Sequence, residues 1–114
     1  MAVTFKYKDK IILRCANAVF GRLLMSISNI IDQKNIKLSK DFSELMFYFE
    51  EFGCSGIGFD ISEYIHSKKD HKLLVDLVRQ GIDKIYSESA AAKQLYQGFY
   101  EGFYNGLLDE NNES

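Results

Sequence analysis

The sequence contains no proline and only two cysteines, Cys15 and Cys54. The absence of proline favours long, uninterrupted helices and argues against a loop-rich fold. Two cysteines are too few for the disulfide framework of a small secreted domain, so we expect buried thiols in a reducing compartment. The first ten residues, MAVTFKYKDK, carry charges where a secretion signal needs an apolar core. We therefore expect a cytoplasmic protein.

Long hydrophobic runs are also lacking, because Arg14, Asn17 and Arg22 interrupt the longest apolar stretches. We therefore expect no membrane-spanning segment. The 114 residues are 46% hydrophobic and 26% charged, which is typical of one globular domain. We predict a single helical domain over residues 1–108 and a polar tail over residues 109–114.

Positive charge is missing from two segments of the chain. Residues 41–66 contain six acidic residues and residues 94–114 contain four, and neither segment has a lysine or arginine. Residues 1–40, in contrast, carry eight Lys/Arg against two Asp. This layout predicts that the acidic segments dock a basic partner. The alternative is that the basic N-terminal third packs beside the acidic segments of the same chain.

The first residues alternate between apolar and polar, with Val3, Phe5 and Tyr7 on one side, which is typical of a strand. Two interpretations remain open. The strand pairs with IILRC across a KDK turn as a hairpin, or it is an extended arm that leads into a helix capped by Asp9. From Ile12 onward, apolar residues recur at steps of three and four and predict a helix to about Asp32.

Four further helices are indicated by caps and periodicity. Asp41 with Glu44 predicts a capping box that opens FSELMFYFEEF, which we expect to be the central buried helix. A second capping box opens a short helix, ISEYIHS, and the remaining two helices have candidate caps at their first residues. The capping box of the short helix is Asp60 with Glu63. The next helix has Asp70 as its candidate cap, and the last helix has Ser87 or Ser89. The predicted fold is all-α, a compact single-domain bundle of four to five helices, with or without a short N-terminal strand or hairpin.

The last helix contains GFYEGFYNG over residues 98–106, and its glycines are four residues apart. On a helical wheel one face carries Phe99, Phe103 and Leu107, with tyrosines on one shoulder and glycines on the other. Three interior glycines cost about 2–3 kcal/mol relative to alanine. We expect the glycine shoulder to admit either another helix of this chain or a partner.

Signatures of catalysis, metal binding or phosphate binding are lacking. The loop GCSGIG follows a predicted helix and lacks the strand context of a dinucleotide fingerprint. Cys54, His66 and His71 do not have the paired spacing of zinc ligands. We therefore expect no enzymatic activity, no metal and no cofactor, and we interpret both histidines as solvated loop residues.

The stretch FYFEEFGCSGIGFDISEYI, followed by LLVDLVRQGIDKIY, resembles bacterial immunity proteins. The similarity is to those paired with contact-dependent growth inhibition toxins. The resemblance implies a protein that binds a toxin domain, often a nuclease, inside the producing cell and blocks its active or substrate-binding site. No functional residue carries over from the family.

The expected partner is a cognate, basic nuclease domain, and a ribonuclease is favoured. We chose the candidate contact residues because they are acidic or are tyrosines. They are Glu50, Glu51, Asp60, Glu63, Tyr100, Glu101 and Tyr104. The alternative is a small helical regulator that homodimerises and binds nucleic acid through its basic N-terminal third. A third hypothesis is an enzyme that uses Cys54 or the histidines. Neither nucleic acid binding nor a homo-oligomer is the favoured expectation.

Overall fold

A computed structural model describes residues 2–51 and 59–112 of the chain. Within these ranges the protein combines helices with a small sheet, so the prediction of an all-α fold is wrong. The elements in chain order are β1 (Ala2–Tyr7), β2 (Lys10–Ala16), α1 (Asn17–Lys34), α2 (Lys40–Glu51), β3 (Phe59–Asp60), a 3-10 helix (Ile61–Tyr64), α3 (Lys68–Glu88) and α4 (Ala90–Asn112).

The sheet is built on an N-terminal hairpin, which is the first of the two interpretations left open by the sequence. Strands β1 and β2 are antiparallel, and β3 pairs in parallel with the other edge of β1. The hairpin turn consists of Lys8 and Asp9, whose φ angles are 50° and 68°. Positive φ at both central residues matches the right-handed twist of the flanking strands, although Asn-Gly is the usual pair there.

Helix α1 begins at Asn17, so the predicted helix from Ile12 starts five residues too early. The segment over residues 12–16 fits a helical spacing and a strand spacing equally well. Its burial follows the strand period, because Leu13 and Cys15 are buried while Arg14 between them is exposed. Pairing with β1 therefore overrides the local helical pattern.

A β-bulge in β2 changes the direction of one side chain. Phe5 pairs with Leu13 and Lys6 pairs with Ile11, which leaves Ile12 opposite no residue of β1. Such an extra residue bends its strand and re-aims its side chain. Here Ile12 packs against α4 at Gly106, where an added Cβ would lie 2.5 Å from the Ile12 Cβ.

The core is centred on β1 rather than on α2. The ring of Phe5 is fully buried and lies 4.5 Å from the ring of Phe20 in α1, 5.3 Å from Phe49 in α2 and 6.3 Å from Phe103 in α4. Three helices therefore converge on one face of the sheet. The expectation that α2 is the central buried helix is wrong, since it is amphipathic and its Phe47 is 54% exposed.

Serine side chains cap three of the helices. The Oγ atoms of Ser39, Ser67 and Ser89 each accept a hydrogen bond of 3.1 Å from the backbone N–H three residues later. Ser89 was one of the two predicted caps. Asp41 and Asp70 instead lie in the first turns of α2 and α3, where a negative charge interacts favourably with the helix dipole.

Two further helix features differ from the sequence-based expectation. The short helix after Asp60 is a 3-10 helix of four residues, in which Asp60 accepts from the backbone N–H of Ser62. Helix α4 continues to Asn112, four residues beyond its predicted end at Leu108. No glycine or proline follows Leu108 to terminate it.

Candidate functional site

The side of α2 that faces solvent carries acidic and aromatic side chains. Glu44, Phe47, Tyr48 and Glu51 are spaced by three, four and seven residues and so share one side of the helix. The opposite side is buried through Phe42, Leu45, Met46 and Phe49. Because the apolar stripe fixes the rotation of α2 on the core, the acidic and aromatic residues are held outward.

A row of rings extends this side of α2 to the 3-10 helix. Phe47 and Tyr48 have ring centroids 5.8 Å apart, and Tyr48 and Tyr64 are 5.2 Å apart. The ring of Tyr64 in turn stacks on Phe59 of β3 at 5.5 Å and an interplanar angle of 2°. The acidic aromatic surface is defined here by Glu44, Phe47, Tyr48, Glu51, Glu63 and Tyr64. Glu50 is exposed at the same end of α2.

The electrostatics of Tyr64 show that the carboxylates lie close to this row of rings. Burial raises the pKa of Tyr64, and its hydrogen bond and charge interaction with Tyr48 raise it further. The negative charges of Glu63 and Glu44 act in the same direction. Two carboxylates from different elements therefore bear on one hydroxyl, and the surface around it favours positive charge.

Asp60, a predicted contact residue, is used inside the fold. Its Oδ2 accepts from the backbone N–H of Asp9 at 2.9 Å, and its Oδ1 accepts from that of Lys8 at 3.2 Å. Both donors belong to the hairpin turn with positive φ. Burial raises the pKa of Asp60, but the bonds from Ser62, Asp9 and Lys8 outweigh it and lower the pKa below its ordinary value. The carboxylate thus fastens the hairpin turn to the start of the 3-10 helix.

Tyr100, another predicted contact residue, lies in the core with 1% of its surface exposed. Its hydroxyl donates a 2.7 Å hydrogen bond to the carbonyl of Val19, and burial raises its pKa to about 12. The inward face of α4 is therefore rotated relative to the predicted one, because Phe99 is 42% exposed while Tyr100, Phe103 and Leu107 are buried. Tyr100 is not accessible to a partner.

Glu101 and Tyr104 belong to a clamp between α3 and α4. The Arg79 guanidinium donates to both oxygens of Glu101, at 2.9 and 3.0 Å, and lies 4.9 Å from the centroid of the Tyr104 ring. Tyr86 also donates to Glu101, at 2.9 Å. These bonds lower the pKa of Glu101, with Arg79 as the largest cause. The charge of Glu101 is thus matched within the chain.

His66, His71 and Cys15 lie in different parts of the fold. His71 is buried in α3, where its Nε2 donates to the carbonyl of Leu107 at 2.9 Å, so its prediction as a solvated loop residue is wrong. His66 is exposed and lies 3.9 Å from Asp41. Burial raises the pKa of the Cys15 thiol to about 11, which disfavours the reactive thiolate. Cys54 and the rest of the GCSGIG loop lie outside the described residues. Among the described ones, no three His, Cys, Asp or Glu residues are grouped as metal ligands.

Comparison with protein-family models, curated proteins and solved structures found no match for this chain. In the parts of the chain that the structure describes, no helix combines the length and the hydropathy needed to cross a membrane.

Three exposed acids of the predicted set, Glu50, Glu51 and Glu63, thus lie at or beside one surface. The selection from sequence missed the residues between them, which are Glu44, Phe47, Tyr48 and Tyr64. A signal for the first three was present, because they fall on the polar side of the α2 pattern at helical spacing. Tyr64 had no such signal, since its proximity to Tyr48 depends on how the 3-10 helix packs.

Proposed function

We propose that this protein is a non-enzymatic inhibitor that binds a basic protein domain through the acidic aromatic surface. Following the resemblance carried by the middle of the sequence, we propose further that it is a bacterial immunity protein acting in the cytoplasm. Its partner is then a cognate toxin domain, a nuclease and preferably a ribonuclease, whose active or substrate-binding site it blocks.

The observation that carries the proposal is the arrangement of exposed carboxylates around a row of partly exposed rings. Aromatic faces attract lysine and arginine side chains by cation–π interaction, and carboxylates pair with the same groups. Tyrosine is also enriched among the hot spots of protein interfaces. A nuclease offers a matching surface, because the groove that grips phosphates is lined by cations.

The position of Glu51 and Glu63 supports fast capture of such a partner. Both are exposed, and neither is among the carboxylates that hold the hairpin turn or the α3–α4 clamp. Residues 41–66 contain no lysine or arginine that would compete for them within the segment. An acidic surface of this kind raises the association rate through long-range attraction that salt screens.

The test uses the C-terminal domain of a large protein encoded beside this gene, immobilised for biolayer interferometry. Replacing Glu44, Glu51 and Glu63 by glutamine should lower the association rate at least about tenfold at low salt and flatten its salt dependence. The matched control replaces three exposed acids elsewhere by their amides, Asp32, Asp76 and Glu88, and removes the same charge. We expect the control to retain most of the wild-type rate.

Two results would contradict the proposal. Equal loss of association rate in both triple variants would show that net charge, not this surface, directs binding. Failure of the wild-type protein to bind the neighbouring gene product and to inhibit its nuclease activity would remove the toxin as partner. A Phe47→Ala variant separates the aromatic contribution, since it should raise the dissociation rate with little effect on association.

The alternative function, nucleic-acid binding, depends on the exposed basic residues of the N-terminal hairpin. Lys8, Lys10 and Arg14 are exposed on the hairpin, so these three basic groups lie on a β-ribbon, whereas the alternative needs them on one helix face. A titration with duplex DNA across salt tests it. Phosphate contacts would give a steep loss of affinity with salt, and removal of Lys10 and Arg14 would reduce that slope.

A further inference from the structure

Helix α4 presents an apolar face to solvent. Leu95 is 68% exposed and Phe99 is 42% exposed. Gly98 and Gly102 lie beside them, and a Cβ added at either glycine would meet no atom of residues 2–51 or 59–112 within 4 Å. Because these positions are three and four residues apart, they share one side of the helix. The α4 outer face is defined here by Ala91, Leu95, Gly98, Phe99 and Gly102.

Between Ala91 and Leu108 this face carries no charged residue. The charged side chains of α4 before residue 109 are Lys93 and Glu101, and both interact with α3. The Lys93 ammonium lies 5.6 Å from the ring centroid of Tyr86, and Glu101 is bonded to Arg79. The exposed polar residues that border the face are amides, each of which both donates and accepts hydrogen bonds. They are Gln94 and Asn105.

The glycines of α4 have two different environments. Gly106 is accounted for within the chain, because its missing Cβ leaves room for Ile12 of β2. Gly98 and Gly102 lower the stability of the helix relative to alanine, and their missing Cβ atoms make room for none of the described residues. Their missing side chains leave a shallow depression beside Leu95 and Phe99 into which another helix can approach.

We propose that the occupant is the α4 outer face of a second copy of this chain, packed around a two-fold axis. A basic or acidic partner finds no opposite charge here, whereas two copies meet without placing like charges together. The two-fold axis sets Leu95 and Phe99 of each copy over the glycines of the other. The proposal does not rest on the proposed function, which uses α2 and the 3-10 helix.

The size of the face limits the strength of the dimer. Residues 91–105 span roughly 22 Å of helix about 10 Å wide, so each copy buries on the order of 200 Å². Stable interfaces bury about 800 Å² per partner. We therefore expect a weak dimer with a dissociation constant on the order of 10⁻⁴ M.

Sedimentation equilibrium of the full chain between about 5 and 500 µM tests the proposal. The wild-type mass should rise toward that of a dimer, and Leu95→Glu should remain monomeric. Met25→Glu, at an exposed apolar residue of α1 that is 67% exposed, is the matched control and should dimerise like the wild type. The Gly98→Ala/Gly102→Ala variant should dimerise at least about tenfold more weakly because its Cβ atoms hold the helices apart.

The glycine variant also reports on folding. At low concentration it should melt at a higher temperature than the wild type, so that weaker dimerisation cannot be ascribed to unfolding. Gly21→Ala, at an open glycine of α1, should raise the melting temperature without changing dimerisation. A wild-type protein that stays monomeric throughout, or a dimer that Leu95→Glu leaves intact, overturns the proposal. If the protein is monomeric and Leu95→Glu abolishes its binding to a basic partner, the α4 outer face binds that partner. This result also overturns the dimer proposal.

Discussion

Replacing Gly106 by alanine should destabilise the protein, although the same change elsewhere in α4 should stabilise it. The new Cβ would lie 2.5 Å from both Cβ and Cγ2 of Ile12. Carbon atoms in ordinary contact are about 3.5–4.0 Å apart, so the overlap is about 1 Å. Isoleucine is stiff at χ1 and its Cβ is bonded to the backbone, so β2 or α4 must shift.

The magnitude follows from two opposing effects. Overpacking of this kind costs about 3 kcal/mol, the upper end of its usual range, because two atoms near the backbone are involved. Removing a glycine from a helix interior contributes about 1 kcal/mol in the other direction. The net loss for Gly106→Ala is therefore about 2 kcal/mol, which lowers the melting temperature by about 8 °C in a chain of this size. Gly98→Ala should gain about 1 kcal/mol, since its Cβ meets none of the described atoms within 4 Å.

Urea unfolding followed by circular dichroism at about 5 µM, where a weak dimer is not populated, measures both variants. An Ile12→Gly background provides a decisive comparison, because it removes the side-chain atoms that the new Cβ would meet. There, Gly106→Ala should stabilise by about 1 kcal/mol, which reverses the sign of its effect. If Gly106→Ala stabilises the protein in the wild-type background, the bulge of β2 does not press Ile12 against α4 and the reasoning is refuted.

Three further outcomes are expected. Asp60→Asn should cost about 1–3 kcal/mol at neutral pH, because one carboxylate serves two turn amides. The pKa of Asp60 is lower in the folded than in the unfolded protein. Its stabilising contribution is therefore present above the unfolded pKa of about 3.9 and is lost as pH falls through the folded pKa. In urea titrations at acid pH, the free energies of unfolding of the wild type and Asp60→Asn should converge. Glu101→Gln should cost about 1–2 kcal/mol by thermal melting, and less once Arg79→Met has removed the charged one of its two donors. In a Cys54→Ser variant, Cys15 should react with thiol reagents at neutral pH only after urea unfolds the protein, and fast labelling of the native state would contradict its burial.

The helices could be predicted from the sequence because their apolar residues recur with one period over many turns. In α3, Leu74, Leu77, Val78, Ile82 and Ile85 are all buried, as that period requires. The first 16 residues were ambiguous because Ile12 and Ala16 satisfy a helical spacing while Leu13 and Cys15 satisfy a strand spacing. Only pairing with β1, and through it with β3 from a distant part of the sequence, resolves such a conflict.

The candidate site was harder to predict, because a charge in an acidic segment is not thereby available to a partner. Asp60 and Glu101 were selected by the same reasoning as Glu51 and Glu63, yet they hold a turn and a helix pair together. Their use depends on contacts with Asp9, 51 positions away, and with Arg79, 22 positions away. Sequence blocks of charge give the sign of a surface, whereas burial and long-range pairing decide which members contribute to it.

The two proposed interfaces differ in chemistry, and salt should therefore separate them. Binding through Glu44, Glu51 and Glu63 depends on attraction between opposite charges, so its association rate should fall as salt rises from about 50 to 500 mM. Packing through Leu95 and Phe99 joins uncharged surfaces, and its dimerisation constant should stay constant or strengthen over that range, most clearly in sulfate. Biolayer interferometry and sedimentation equilibrium over the same salt series measure the two responses. A dimer that weakens with salt in parallel with partner binding would mean that both contacts use the acidic aromatic surface, because no charge on the α4 outer face is available for salt to screen.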